Sequence, residues 1–162
     1  MATKKVIDIA SQVGFDVPFC IDDFKKIINS SNKRFVRSRI NFNFFLLLVY
    51  PNFKNSTRRI YQLNNLFSRP NSKLTETSLK NNLINTLKND KNDLQTIVES
   101  KNKKIKDLIY SLSIQKNCLF SRMSGSGSTC YGVFQNLHSA KRAKKILKKY
   151  YPNYWSVVSK TR

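Results

Sequence analysis

Apolar residues recur every three or four positions in five stretches of this chain, and those stretches are predicted to be helices. Val6, Ile9, Ala10 and Val13 form the first, ending at Gly14, where a left-handed residue is expected to close the helix. Leu79, Leu83 and Leu87, with Ile84 alongside, form the second, from Thr77 to the interruption at Asn89-Asp90. Leu94, Ile97 and Val98 make a short face. Ile105, Leu108, Ile109 and Leu112 make a longer one, with Lys103, Lys104 and Lys106 toward solvent. Ala140, Ala143, Ile146 and Leu147 point inward on the last helix, predicted from an N-cap at Ser139 to about Tyr150, with Pro152 beyond its end.

Between these lie β-rich runs. Ile40 to Tyr50 is apolar on both faces, which predicts a buried strand stopped by Pro51. Cys118 to Met123 and Thr129 to Phe134 read as strands on either side of a glycine-rich turn, and Trp155 to Val158 as a closing strand. Asp16 to Ile21 reads as a turn entering a strand, with Val17 held extended by Pro18. Asn55-Ser56-Thr57 is expected to cap a short helix from Arg58 to Asn65, and Phe67 to Thr75 to be a loop. Asp22 to Arg39 is basic, shows no clear period and receives no assignment. The order of elements implies an α+β layer, a small and mostly antiparallel sheet covered by helices.

Composition narrows the class. The chain has 162 residues, 40% of them hydrophobic, which suits one domain with an appendage and argues against wholesale disorder. Its longest apolar run, Phe42 to Tyr50, is far short of the ~20 residues that span a bilayer, and Met1 to Val6 lacks the apolar core of a signal peptide. Three cysteines (Cys20, Cys118, Cys130) and one histidine make neither a disulfide framework nor a zinc site, so a reducing cytoplasm is the expected location and no metal site is expected. Thirty Lys and Arg against nine Asp and Glu give a charge of +21. A nucleic-acid partner would explain that charge. So would A/T-biased coding drift, which the abundance of Asn, Lys, Ile, Phe and Tyr favours, because the basic residues are spread along the chain without a nucleic-acid-binding signature.

Candidate chemistry is sparse. Three of the four glycines fall between Ser121 and Phe134, two of them in Ser124-Gly125-Ser126-Gly127-Ser128-Thr129. Such a run is either a hairpin turn or a backbone cradle for phosphate. His138 sits beside a predicted helix start without a serine or cysteine partner. Cys130 follows the loop in a strand and reads as a small buried hydrophobe. Asp22 and Asp23, adjacent on an extended chain, point to opposite faces. Asp16 stands on a turn before Val17-Pro18, as a turn residue or as a proton acceptor.

Two segments taken together resemble the GHMP-type small-molecule kinases, and within them an isoprenoid-pathway branch. Gly14-Phe15-Asp16-Val17-Pro18-Phe19-Cys20 is similar to their G-x-D-V-P-F segment, and Arg122 to Cys130 to their third, glycine-rich motif. Val49-Tyr50-Pro51 with Ser56-Thr57 and Tyr61, and Asn92-Asp93-Leu94, match in order and spacing. The resemblance implies a ferredoxin-like C-terminal domain over residues 39–162, after a remnant of an N-terminal domain over 1–38. It implies that Asp16 is the catalytic aspartate that takes the substrate hydroxyl's proton, and that Gly125, Ser126, Gly127 and Ser128 lie near the phosphates of ATP. It implies ATP with Mg2+ as cofactors and a small-molecule alcohol as substrate, with no membrane partner.

The chain departs from that pattern in two places. Nothing in it matches the family's ATP-binding motif, P-x-x-x-G-L-G-S-S, nor the lysine that works with the aspartate. Where the family carries G-x-G-E, this chain reads Asn29-Ser30-Ser31-Asn32-Lys33-Arg34. The resulting expectation is a truncated kinase-like protein, a pseudogene product or fragment that binds no ATP and is inactive alone, because positioning supplies much of phosphoryl transfer. Two alternatives stay open: the C-terminal half of a split kinase whose N-terminal half is another chain, and a basic nucleic-acid-binding module.

Overall fold

The structure, a computed structural model, describes residues 4–14, 17–21, 26–29, 34–37, 43–65 and 76–161. Helix α1 (Lys4–Val13) carries the predicted apolar stripe. Its end differs from the expectation. Gly14 is not left-handed; its N–H continues the helical pattern to the Ala10 carbonyl at 3.2 Å, and its own carbonyl accepts from Val17 N–H at 3.1 Å. Val17–Cys20 is a single 3-10 turn and not the start of a strand. Proline near the start of a helical turn costs no hydrogen bond, so Pro18 suits this turn as well as an extended chain.

The unassigned basic segment contains two short strands, β1 (Lys26–Asn29) and β2 (Arg34–Arg37), paired antiparallel from Lys26 opposite Arg37 to Asn29 opposite Arg34. Each holds only two apolar residues between polar ends, too short a run for a period to register. Asp16, Asp22, Asp23, Asn32 and Lys33, and the loop expected from Phe67 to Thr75, lie outside the described residues.

The larger sheet contains β3 (Phe45–Tyr50), β4 (Cys118–Met123), β5 (Cys130–Phe134) and β6 (Trp155–Lys160), in the spatial order β4-β5-β3-β6, antiparallel throughout. Helices α2 (Thr57–Gln62), α3 (Glu76–Asn89), α4 (Asp93–Lys101) and α5 (Lys103–Ser113) follow β3, and α6 (Leu137–Tyr150) joins β5 to β6. A β-α-β-β-α-β chain with its first strand in the middle of the sheet is the ferredoxin-like arrangement. The α+β reading is thus the observed fold.

The core lies on one face of this sheet. Leu47 and Val49 of β3, Met123 of β4, and Cys130 and Phe134 of β5 are fully buried against Ile105, Leu108 and Leu112 of α5 and Ala140, Ala143 and Leu147 of α6. The small alanines let α6 lie close over β3, β5 and β6, while α5 lies over β4 and β5. Each large aliphatic side chain sealed in this way contributes roughly 1.5–3 kcal/mol. Strand β3 is buried on only one side: Leu46, Leu48 and Tyr50 on the other are half-buried.

Helix α6 begins one turn earlier than its pattern predicts. Asn136 is the N-cap, its side-chain oxygen accepting from Ser139 N–H at 2.9 Å. Ser139 is inside the first turn, 7% exposed, and its hydroxyl takes the Asn117 amide at 2.9 Å. The cap at Ser56 is as expected, its hydroxyl accepting from Arg59 N–H at 3.4 Å. Helix α3 departs from helical geometry at Asn82, which divides the predicted leucine stripe. No helix among the described residues is long and apolar enough to cross a membrane.

Candidate active-site loop

The glycine run is the hairpin that joins β4 to β5. Ser124 N–H bonds the Thr129 carbonyl at 2.8 Å, and Gly127 N–H bonds the Ser124 carbonyl at 2.9 Å. The turn needs two left-handed residues, and glycine supplies both: Gly125 has φ +52° and Gly127 φ +82°. Gly127 also admits close neighbours. A Cβ there would stand 2.7 Å from both the Asn55 amide nitrogen and the Met123 sulfur, whereas at Gly125 it would meet nothing within 4 Å.

Side chains from other elements hold the loop's carbonyls. Asn92 donates its amide to the Met123 carbonyl at 2.9 Å and to the Gly125 carbonyl at 2.8 Å, while its oxygen caps α4 by accepting Leu94 N–H at 3.1 Å. Asn55 donates to the Ser126 carbonyl at 3.0 Å. The hydroxyls of Thr57 and Ser126 lie 2.9 Å apart, and Ser128 donates to the Phe53 carbonyl. Gln95 accepts Met123 N–H at 3.0 Å and donates to Glu99 at 2.7 Å. With its carbonyls turned to these partners, the loop leaves the Gly125 and Ser126 N–H groups without a hydrogen bond to any described residue. Adjacent unpaired N–H groups in a turn form a concavity suited to an anion.

Beside the loop is an open cleft of about 420 Å³, whose wall includes Tyr61, Lys91, Asp93, Arg122, Ser124 and Gly125. Arg122 is not a loose cation here: its guanidinium donates to the Leu87 carbonyl at 2.9 Å and to the Asp90 carbonyl, tying β4 to the end of α3. Among the described residues of its wall, Lys91 is the exposed positive charge.

The sequence-predicted candidates separate clearly. Gly125, Ser126, Gly127 and Ser128 share one hairpin, with Ser128 buried beneath it at 2% exposure. Asp16 lies outside the described residues. His138 is exposed on the first turn of α6. Cys130 is wholly buried, and burial, reinforced by the charge of Glu99, pushes its thiol up to about 12, so it is a neutral core group. Burial likewise pushes Cys118 up to about 11. No cluster of three or more His, Cys, Asp or Glu side chains occurs among the described residues. Sequence reasoning noticed Asn92 only as part of Asn-Asp-Leu and missed its clamp on the loop. An asparagine one residue before an apolar helical face was the available signal.

A β-α-β-β-α-β sheet with a glycine hairpin joining its second strand in chain order to its third, braced by two asparagines, defines a class. Residues 74–153 match the family described as GHMP kinases C terminal, and the chain contains a GHMP kinase C-terminal domain. The relatives it matches are named 4-diphosphocytidyl-2-C-methyl-D-erythritol kinase. The one from Caldanaerobacter subterraneus is 34% identical over 99% of this chain and 56% of its own length. The one from Prochlorococcus marinus is 33% identical over 86% of this chain and 49% of its own. The fold is also that of a solved 4-(cytidine 5'-diphospho)-2C-methyl-D-erythritol kinase, with a TM-score of 0.71 at 18% identity over 94% of this chain and 56% of that one. The chain thus spans about half the length of the relatives it matches, and that half is C-terminal.

Proposed function

We propose that this chain is the C-terminal half of an ATP-dependent kinase that phosphorylates a small-molecule alcohol in isoprenoid biosynthesis, at work in the cytoplasm. The alcohol is the 4-diphosphocytidyl-2-C-methyl-D-erythritol of its relatives' names. Residues 39–162 act as the C-terminal domain and 1–38 as the end of the N-terminal one. The observation that carries this reading is the braced hairpin, whose Gly125 and Ser126 N–H groups, unpaired among the described residues, are suited to a phosphate oxygen.

In this reading the loop positions the nucleotide's phosphates and Asp16 accepts the proton of the attacking hydroxyl. Ser126 and Ser128 hold the loop in shape through Thr57 and the Phe53 carbonyl. ATP fits the loop as an anion. Mg2+ would be held by the nucleotide's phosphates, since the described residues offer it no carboxylate cluster. One loop without the family's ATP-binding motif gives little positioning, so the 162 residues alone bind ATP too weakly to turn over. Incubation of the purified chain with ATP, Mg2+ and the methylerythritol substrate is expected to give no phosphorylated product. Product formed by the chain alone, and lost in Asp16→Asn, would overturn the inactivity.

One observation favours a second reading, nucleic-acid binding. Helix α6 carries Lys141, Arg142, Lys144, Lys145, Lys148 and Lys149 and no acidic residue. That reading requires RNA or DNA binding that survives near physiological salt. Binding that vanishes by that point leaves the charge compositional.

A further inference from the structure

A second cavity, of about 230 Å³, opens at the far end of β4 and β5 from the hairpin. It lies between the turn that leads from α5 into β4 and the first turns of α6, at the end of the sheet where Cys118 pairs with Phe134. The six residues of β4 separate it from the glycine run by roughly 17 Å, at 3.3–3.4 Å per residue. None of its lining residues belongs to the candidate loop or to the cleft beside that loop.

The floor of this cavity is apolar: Ala143 is 2% exposed and Ile146 is half-buried. The carbonyls that end α5 are already taken. That of Tyr110 accepts from Ile114 N–H at 3.1 Å and from the Ser113 hydroxyl at 2.8 Å. Gln115 gives its side-chain amide to the Ser111 carbonyl at 2.8 Å and its N–H to the Leu112 carbonyl at 3.2 Å. Donors, by contrast, are spare. Ser139 is 7% exposed, and its oxygen accepts the Asn117 amide at 2.9 Å. That bond turns the hydroxyl proton away from Asn117, and the proton meets no acceptor among the described residues. Lys116 and Arg142 stand exposed at the rim, each without an ion pair or hydrogen bond to any described residue. No Asp or Glu is among the described lining residues.

We propose that this cavity binds a small organic anion, a phosphate monoester with an apolar group of a few carbons. The guanidinium of Arg142 and the ammonium of Lys116 take phosphate oxygens, the buried Ser139 hydroxyl donates its proton to one of them, and the alkyl group covers Ala143 and Ile146. Two cations and a hydroxyl, brought by a turn and a helix, suit an oxygen-rich tetrahedral anion. At about 230 Å³ the cavity is below the roughly 300–1,000 Å³ of sites for drug-sized ligands, too small for a nucleotide. A nucleic-acid backbone has no use for the apolar floor, and Lys141, Lys144, Lys145, Lys148 and Lys149 of α6 do not line the cavity. The site uses nothing of the hairpin, so it stands whether or not the chain is half of a kinase. A ligand held between α6 and the turn binds the folded chain alone and therefore stabilises it.

The probe is n-butyl phosphate, titrated into the full chain at physiological ionic strength, with backbone amide NMR shifts and the melting temperature as readouts. The expected result is saturable shifts in the amides of Gln115, Lys116, Ser139 and Arg142, and a melting temperature that rises with ligand concentration. Arg142→Ala is expected to weaken binding roughly tenfold, the loss of one charge-assisted contact. Lys149→Ala removes the same charge from the other end of α6 and is expected to leave binding unchanged. Both side chains are exposed and neither packs in the core, so both variants fold. Inorganic phosphate, which cannot use the apolar floor, is expected to bind more weakly than the butyl ester. Four outcomes overturn the proposal. One is the absence of saturable shifts at millimolar ligand. Another is equal weakening by the two variants, which reduces the attraction to net charge. A third is inorganic phosphate that binds as tightly as the ester, and the last is shifts confined to the hairpin amides of Gly125 and Ser126.

Discussion

Gly125 and Gly127 look alike in the sequence and differ sharply in the fold. Both need a left-handed backbone, which costs an L-residue roughly 1–2 kcal/mol. At Gly127 a Cβ would also press on Asn55 and Met123 at 2.7 Å, and Met123 is buried. Gly127→Ala is therefore expected to cost about 3 kcal/mol, the backbone strain plus overpacking, and Gly125→Ala about 1 kcal/mol. Urea unfolding of the two variants gives the comparison, and equal losses would contradict the close packing beneath the loop. Asn92 serves two elements at once, and Asn92→Ala is expected to lose about 2 kcal/mol, one helix cap plus a share of two hydrogen bonds. The cysteines give a third check. Cys20 is exposed and Cys118 and Cys130 are not, so one thiol per chain is expected to react promptly with a maleimide at pH 8, and all three after unfolding. Because burial raises the Cys130 and Cys118 thiols above their ordinary value of 9.0, both favour the folded state below about pH 9. That contribution is lost as pH rises through about 11 and 12, so stability falls on the alkaline side.

The elements most legible in the sequence are those with a strong period and a buried face. Strands β4 and β5, the hairpin between them, and helices α5 and α6 follow from alternation, paired glycines and the spacing of Ile105, Leu108, Leu112, Ala140, Ala143 and Leu147. What escaped lies where propensity is weak or two residues compete. Strands β1 and β2 are four residues each, and pairing rather than local pattern makes them strands. At the start of α6 both Asn136 and Ser139 are good caps, and Asn136 holds the position because Ser139 is packed inward with its hydroxyl already bonded to Asn117. Asn136→Ala is expected to destabilise by about 1 kcal/mol and Ser139→Ala by about half as much, since solvent replaces Ser139 as the partner of the exposed Asn117. Thermal unfolding separates them, and the reverse order would return the cap to Ser139. The candidate loop was legible from its glycines. Its braces were not, because Asn55 stands 71 residues from the Ser126 carbonyl it holds and Asn92 stands 33 residues from that of Gly125, and only the fold brings them together.

At the scale of the whole molecule, the described residues pack one face of the larger sheet under helices and leave apolar positions half-buried on the other. The helical side is strongly basic, with six cations on α6, and the opposite sheet face is apolar with its tryptophan in water. A kinase built in two bodies divides its chemistry in the same way. In the proposed kinase reading this half brings the braced hairpin and Asp16, and the other half brings the ATP-binding motif that this sequence lacks. The most direct measurement fuses the N-terminal half of the Caldanaerobacter relative to this chain and follows ATP-dependent phosphorylation of 4-diphosphocytidyl-2-C-methyl-D-erythritol. Turnover by the fusion, absent from either half alone and lowered at least a thousandfold by Asp16→Asn, is the predicted result. A folded fusion that fails to phosphorylate, or one indifferent to Asp16→Asn, would contradict it.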